Sequence, residues 1–300
     1  DIQAAGERVM RANGGVAAAK SYMLYREKRA EMRKIREALV AEIGEENLLP
    51  VLASIQSSYE HYDLTRLEAK YIAMQKPDST IDARLELLTK SAAELTTQEE
   101  PNWEKIAGRL LYYTFSRELK KTEENYGLTS FYEKLRYLTS EGLYGKYILD
   151  SYSKKEIEEA FEFIDDERNN LYTYAGLDLL ISRYLIHNRS HVVLESPQEM
   201  YLGIALHLAL KEGEDRMTWV RKFYDIMSRQ KVTMAPPPQS NARKPYHQLS
   251  SCFIDTVPDS LDGIYSSVSK FADVSKFGGG MGMYFGKVRS RGGSIRGCEG

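Results

Sequence analysis

The 300-residue chain sets 41 lysines and arginines against 43 aspartates and glutamates, and 42% of its residues are hydrophobic. That is the composition of a folded protein large enough for two or more domains, and near-neutrality gives no global attraction for nucleic acid or an acidic membrane. Two cysteines, Cys252 and Cys298, exclude a disulfide-stapled secreted scaffold, and no run of about 20 apolar residues or signal-peptide pattern is present. The expectation is a cytoplasmic protein with neither membrane nor nucleic acid as partner. Asp1 opens inside a helical pattern and Gly300 closes a glycine-rich stretch, so a piece of a longer polypeptide is expected.

Residues 1–226 carry the three- and four-residue apolar spacing of successive helices. AAAKSYMLYREKRAEMRKIREALV is built of strong helix formers, and its basic outer face reads as solvated surface. Ser79, three residues before Asp82, predicts a capped start for DARLELLTKSAAEL, and Asn102 predicts one for WEKIAGRLLYYTF. Ser153 with Glu156 has capping-box spacing, as does Ser196-Pro197-Gln198-Glu199 ahead of MYLGIALHLAL.

The texture changes near residue 228. VTMAPPPQSNARKPYHQ, with three consecutive prolines, predicts irregular chain. LSSCFIDTV reads as a buried strand, DSLDGIYSSVSKFADVSKF as a helix capped by Asp259 or Ser260, and MGMYFGKVRS as a second strand. Strand, helix and strand in that order predict a parallel unit of an α/β domain.

Chemistry concentrates in the same region. Residues 270–300 hold Lys270, Lys276, Lys287, Arg289, Arg291 and Arg296 against Asp273 and Glu299, interleaved with glycines. Glycine permits close backbone approach and cations supply countercharge, so phosphate or nucleotide binding is one reading; a flexible loop and an RNA-binding tail are the others. By itself Cys252 has the setting of an inert core thiol, and Cys298 that of an exposed one. His61, His187, His191, His207 and His247 form no four-ligand pattern, so no metal site is expected, and the tyrosine-rich helices read as aromatic packing.

HQLSSCFIDTVPDSLDGIYSSVSKFADVSKFGGGMGMYFGKVRSRGGSIRG resembles the start of the ten-stranded α/β barrel of class I ribonucleotide reductase large subunits. The likeness runs through the Gln-Leu-Ser-Ser-Cys-Phe strand, the Asp-Ser-Leu turn before Gly-Ile-Tyr, the Ser-Lys-x-x-Gly-Gly turn and the Gly-Ser-Ile-Arg-Gly loop. Upstream, VAAAKSYMLYREKRAEMR resembles the last helix of that family's ATP-cone domain. The resemblance implies a cone remnant over 1–33, a helical domain over 34–227 and the start of the barrel over 228–300. The fold is then a mainly α-helical N-terminal region followed by the first β-α-β unit of the barrel, in an incomplete domain.

The resemblance also implies function: part of the catalytic subunit that reduces ribonucleoside diphosphates by radical chemistry and a redox-active dithiol. Cys252 becomes one of the two reducing thiols, and Ser251, Cys252, Gly279, Gly280 and Pro236 become substrate-binding positions. Asp259, Ser260, Leu261, Lys276, Arg289, Arg296 and Gly297 fall on the specificity-effector site, for dNTP or ATP with magnesium, and Arg291 to Ser294 on the loop that responds to it. No cofactor is expected to be tightly bound in this chain. Implied partners are a second large subunit in a homodimer, a small radical-generating subunit with a di-metal centre, thioredoxin or glutaredoxin as reductant, and the remainder of the catalytic subunit. The fragment alone is expected to be inactive. Two departures stand out: Pro236 replaces the family's usual Ser or Thr, and the nucleotide-binding residues of the cone are absent. The alternatives are a noncatalytic nucleotide-binding or assembly module of a split protein, and an adenosylcobalamin-dependent reductase.

Overall fold

The computed structural model describes Val9, Ala12 and residues 15–299, leaving out the side chains of Val16, Cys298 and Glu299. Most of residues 1–14, the start of the span expected to be a cone remnant, therefore lie outside the described residues. The chain divides into two units, one of residues 1–118 with 172–178 and one of residues 119–171 with 179–300.

The first unit begins with α1 (Val16–Ile43), which buries Met32, Ile35, Leu39 and Ile43 at helical spacing. Gly44 stops it: its φ of 80° suits glycine, and its N–H returns to Val40 O at 2.9 Å. α2 (Leu48–Ser58), α3 (Leu64–Met74) and α4 (Ile81–Ala93) add Leu52, Leu67, Tyr71 and Leu88 to one core. α5 (Trp103–Tyr126) contributes Trp103 and Ile106 to it. The cap of α4 is Thr80, not Ser79. Thr80 Oγ1 accepts the Ala83 N–H at 3.2 Å, while Ser79 Oγ donates back to Lys76 O at 2.9 Å. A hydroxyl three residues before an acid suggests a cap, but local turn geometry decides which hydroxyl serves.

In the second unit, α6 (Phe131–Ser140), α7 (Lys146–Ser151), α8 (Lys154–Phe161) and α11 (Arg216–Ser228) accompany α10 (Pro197–Leu208). α9 (Tyr174–Leu179), which belongs to the first unit up to Asp178, and a π turn over Leu180–Tyr184 precede α10 in the chain. Both predicted capping boxes form, at Ser153/Glu156 and Ser196/Glu199. From Pro197 to Leu206 α10 is buried on every side, so its polar residues need partners. Gln198 finds Asn169 Oδ1 at 3.0 Å and the Tyr224 hydroxyl at 2.8 Å. Glu199 closes its capping box and also accepts from buried Lys134 Nζ at 2.6 Å. Burial opposes the charge on Lys134, but Glu199 and Glu123 outweigh it and the amine's pKa is raised.

Within the segment expected to be irregular, Pro236–Asn241 forms a short helix, α12, while the flanking residues 232–235 and 242–248 are irregular. Prolines at the start of a helix lose nothing by lacking N–H groups, and their φ is already helical. α12 leads into β1 (Cys252–Thr256), α13 (Leu261–Lys276) and β2 (Gly280–Tyr284). β1 and β2 pair in parallel, Cys252 opposite Gly280 and Thr256 opposite Tyr284, so the α/β barrel is begun but not closed. The second strand ends at Tyr284, short of the predicted residue 290, because the chain turns with the Val288 N–H on Phe285 O at 2.9 Å. A small hairpin of β3 (Ser294–Ile295) and β4 (Cys298–Glu299) follows.

One buried ion pair fixes the approach to β1. Arg243, with 0% of its side chain exposed, donates from Nε and Nη2 to Glu195 at 2.6 and 2.5 Å. The guanidinium also donates to Gln239 O at 2.7 Å and Tyr184 O at 2.9 Å, while Glu195 accepts the Ile186 N–H at 3.1 Å. Gly203 on α10 leaves room for it: a Cβ there would lie 2.7 Å from Arg243 Cδ and 2.5 Å from the Tyr144 hydroxyl. Arg243→Met is therefore expected to strand the Glu195 carboxylate and cost about 3–5 kcal/mol. Arg243→Met with Glu195→Leu should recover most of that loss in urea unfolding, and equal instability of the single and double variants would contradict the assignment.

Candidate functional site

Alternation along the two parallel strands sorts their residues onto two faces. Phe253, Asp255, Met281 and Met283 are half-buried on one side, and Val274 of α13 lies within reach of Phe253. Cys252, Ile254, Thr256, Gly280, Gly282 and Tyr284 are exposed on the other, with Ile254 at 89%. The predicted buried strand is thus covered on one face only. Cys252 is a free, exposed thiol at the start of β1, with the Ser251 hydroxyl 3.6 Å from its sulfur.

The glycines opposite it do different jobs. Gly279 is needed by the fold: an added Cβ would sit 2.8 Å from Val274 Cγ1 and 3.0 Å from Phe253 Cε2. Gly280, whose N–H donates to Ser251 O at 2.8 Å, would bring its Cβ only to ordinary contact, 3.7 Å from that oxygen. Nothing within the described chain requires glycine there, and the backbone beside Cys252 stays open to approach.

Around α13 the predicted effector residues separate into groups. Ser260 caps the helix, accepting the Gly263 N–H at 3.1 Å, and Leu261, the first helical residue, is 72% exposed. Arg289 Nε reaches both Asp259 oxygens at 3.1 and 2.9 Å, and its Nη1 donates to Ser294 O at 2.6 Å. The Arg289 guanidinium beside Asp259 holds that carboxyl below its ordinary range. Arg296 and Gly297 form the two-residue turn of the β3–β4 hairpin, with φ of 54° and 81°, as a tight hairpin requires. Lys276 is at the other end of α13, roughly 24 Å from Ser260 at 1.5 Å per helical residue. The ammonium instead lies 5.4 Å from the Phe277 ring centroid. Pro236 is the exposed first residue of α12.

Several positioning residues carry no recognisable sequence signal. Asn241 Nδ2 donates to Gln248 O and to Phe277 O, both at 3.0 Å, tying the lead into β1 to the lead into β2. Tyr147 donates its hydroxyl proton to Ala242 O, so His207 Nδ1, 2.8 Å away, must be the donor of their shared bond. The His247 ring packs 4.6 Å from that of Tyr147 and 5.3 Å from that of His207. Burial, with His247 adding a smaller effect, pushes His207 down to about 4. His187 and His191 are not on a helix face; His187 bridges to Val193 in extended chain, and His191 has a φ of 61°. Among the described residues no three of His, Cys, Asp and Glu group as a metal site, and no helix is long and apolar enough to cross a membrane.

An all-helical layer leading into a parallel β-α-β unit with a thiol on its open face matches a known class in sequence as well. Residues 170–247 match the ribonucleotide reductase all-alpha domain, and residues 250–300 match the ribonucleotide reductase barrel domain. The ribonucleoside-diphosphate reductase subunit alpha of Treponema pallidum is 51% identical over 283 residues, covering 94% of this chain and 34% of the relative. Subunits of the same name from Helicobacter pylori and Synechocystis are 30% and 34% identical, over 79% and 70% of this chain and 32% and 26% of their own lengths. The chain belongs to the class I ribonucleotide reductase large-subunit family and spans about a third of the length of the curated relatives it matches.

The two glycines make a paired test. Gly279→Ala is expected to destabilise the β-α-β unit by about 1–3 kcal/mol through overpacking against Val274. Gly280→Ala should cost well under half as much. Urea unfolding of both variants measures the difference, and equal losses would contradict the division of roles.

Proposed function

We propose that the polypeptide containing this chain reduces ribonucleoside diphosphates to 2′-deoxyribonucleoside diphosphates, with Cys252 supplying one of the two reducing thiols. The observation that carries the reading is the exposed Cys252 thiol on an open sheet face, in register with Gly280. Replacing a ribose 2′-hydroxyl by hydrogen, with loss of water, consumes two electrons and two protons. Two thiols deliver both as they join in a disulfide, which thioredoxin or glutaredoxin then reduces by exchange. Ser251 and the backbone at Gly279 and Gly280 are assigned to the substrate beside Cys252. Pro236 offers no hydroxyl and no N–H, so any phosphate contact at its end of α12 must come from neighbours. The radical that activates the ribose is assigned to a thiyl on a later barrel loop of the catalytic subunit, outside this chain, and its source to a separate small subunit with a di-metal centre.

Asp259, Ser260, Leu261, Arg289, Arg296 and Gly297 are proposed to hold a deoxynucleoside triphosphate with magnesium, with Arg291 to Ser294 as the responding loop. The Asp259–Arg289 pair supports this reading, since it keeps a guanidinium at the start of α13, where a helix N-terminus already favours anions. Lys276, a helix length away, would serve such a site from a second copy of the chain. The exposed Leu261, Tyr265 and Val268 of α13 favour that pairing. The domain division proposed with this function is a cone remnant over 1–33, a helical domain over 34–227 and the barrel start over 228–300.

In the complete reductase, Cys252→Ser is expected to lower multiple turnover with a dithiol reductant by at least about a thousandfold, since the two-thiol step has no substitute. Dissociation constants for dNTP effectors should change less than about threefold. Steady-state assays and equilibrium binding measure the two effects, and sustained turnover by the variant would remove Cys252 from the reaction.

A further inference from the structure

In the first unit, α1 and α2 flank a cleft of about 300 Å³. Buried Met32 and half-buried Ala53 give it an apolar lining, while Lys28, Arg29, Arg33 and Arg36 bring four cations against one carboxylate, Glu60. A second concavity of about 380 Å³ continues along α1 and shares Tyr25, Arg29 and Arg33 with the first.

This face departs from ordinary solvated helix surface in three ways. Arg29, Arg33 and Arg36 follow one another at four and three residues, so their like charges face each other at unfavourable spacing. Several other cations of the unit are paired, Lys70 with Glu94 at 2.7 Å, Lys90 with Glu86 at 2.7 Å and Arg117 with Glu45 at 3.0 Å. Among the described residues none of the four cleft cations pairs with a carboxylate. Arg36 is moreover partly withdrawn from water. Its Nη1 donates to Gln56, but its Nε is buried with no partner, and burial, Arg33 and Arg29 together pull its pKa down. An anion in the cleft would relieve the repulsion among these like charges.

The charge count selects the anion. One carboxylate would offset a single cation, whereas three guanidinium groups present paired N–H donors that match phosphate oxygens. A triphosphate carries three to four negative charges in a volume the cleft can hold. We propose that this cleft binds a small polyphosphate anion, either inorganic polyphosphate or the phosphate tail of a nucleoside triphosphate. The site shares no residue with the thiol face or with the Asp259–Arg289 region, and does not rest on the reductase reading.

The test is calorimetric titration of the intact chain at low ionic strength with tripolyphosphate, ATP and a short polyglutamate peptide. Arg289→Ala with Arg296→Ala is present throughout to weaken the other basic region. Both phosphates are expected to bind, and Arg33→Glu to weaken each by at least about tenfold. Arg33 is exposed and holds no carboxylate, and circular dichroism would verify that the variant folds. Equal affinity for tripolyphosphate and ATP identifies the phosphate chain as the ligand, and tighter ATP binding adds the nucleoside. Bound ligand should also slow amide hydrogen exchange within residues 25–36 and 53–61. Absence of phosphate binding, binding indifferent to Arg33→Glu, protection confined elsewhere, or a preference for polyglutamate would each overturn the proposal.

Discussion

The second unit turns on one ion pair withdrawn from water. Taking a guanidinium and a carboxylate into a protein interior costs several kcal/mol per ion, and only near-complete hydrogen bonding offsets that. Arg243 and Glu195 meet the requirement through two direct contacts, two carbonyls and one backbone N–H. The partners join two stretches of chain, the Tyr184–Ile186 segment and α12 at Gln239. The pair therefore fixes where the chain stands after α12, with Arg243 nine residues before Cys252. The Gly145 N–H, which donates to Arg243 O at 2.8 Å, holds the same point from the backbone.

From that anchor the geometry of the thiol follows. Asn241 joins the leads into both strands, the Gly280 N–H pairs with Ser251 O, and the strands run parallel from there. Gly279 lets α13 close over one face, where Phe253 and Val274 would meet any larger residue. The other face keeps Cys252 and Gly280 exposed side by side. That leaves the thiol and the backbone beside it on a sheet face open to approach.

How much of this was legible in the sequence depends on how local each determinant is. Capping boxes are contained in four residues, so Ser153 and Ser196 announced their helices correctly. Thr80 displaced Ser79 because a hydroxyl's role depends on backbone angles that spacing does not specify. Three prolines read as irregular chain by propensity, yet at a helix start their missing donors are harmless and α12 forms. The strand–helix–strand order at 252–284 was readable from alternation and periodicity, and its family from motif order. Long-range partners were not. No sequence pattern joins Arg243 to Glu195, 48 residues away, or turns the basic face of α1 into a cleft, because both depend on how separate helices pack. Lys276 and Asp259 share a motif set but stand at opposite ends of one helix, a separation that only the fold makes visible.

The role of Cys252 as an electron donor is the central functional claim, and redox mapping tests it most directly. The complete reductase would be pre-reduced, freed of reductant and mixed with ribonucleotide and effector for a single turnover. Peptide mass spectrometry would then follow the oxidation state of each cysteine against product formed. The account predicts that Cys252 enters an intramolecular disulfide in step with deoxyribonucleotide, about one bond per product, as two-electron thiol chemistry requires. Product formed in that yield while Cys252 remains a free thiol would contradict it.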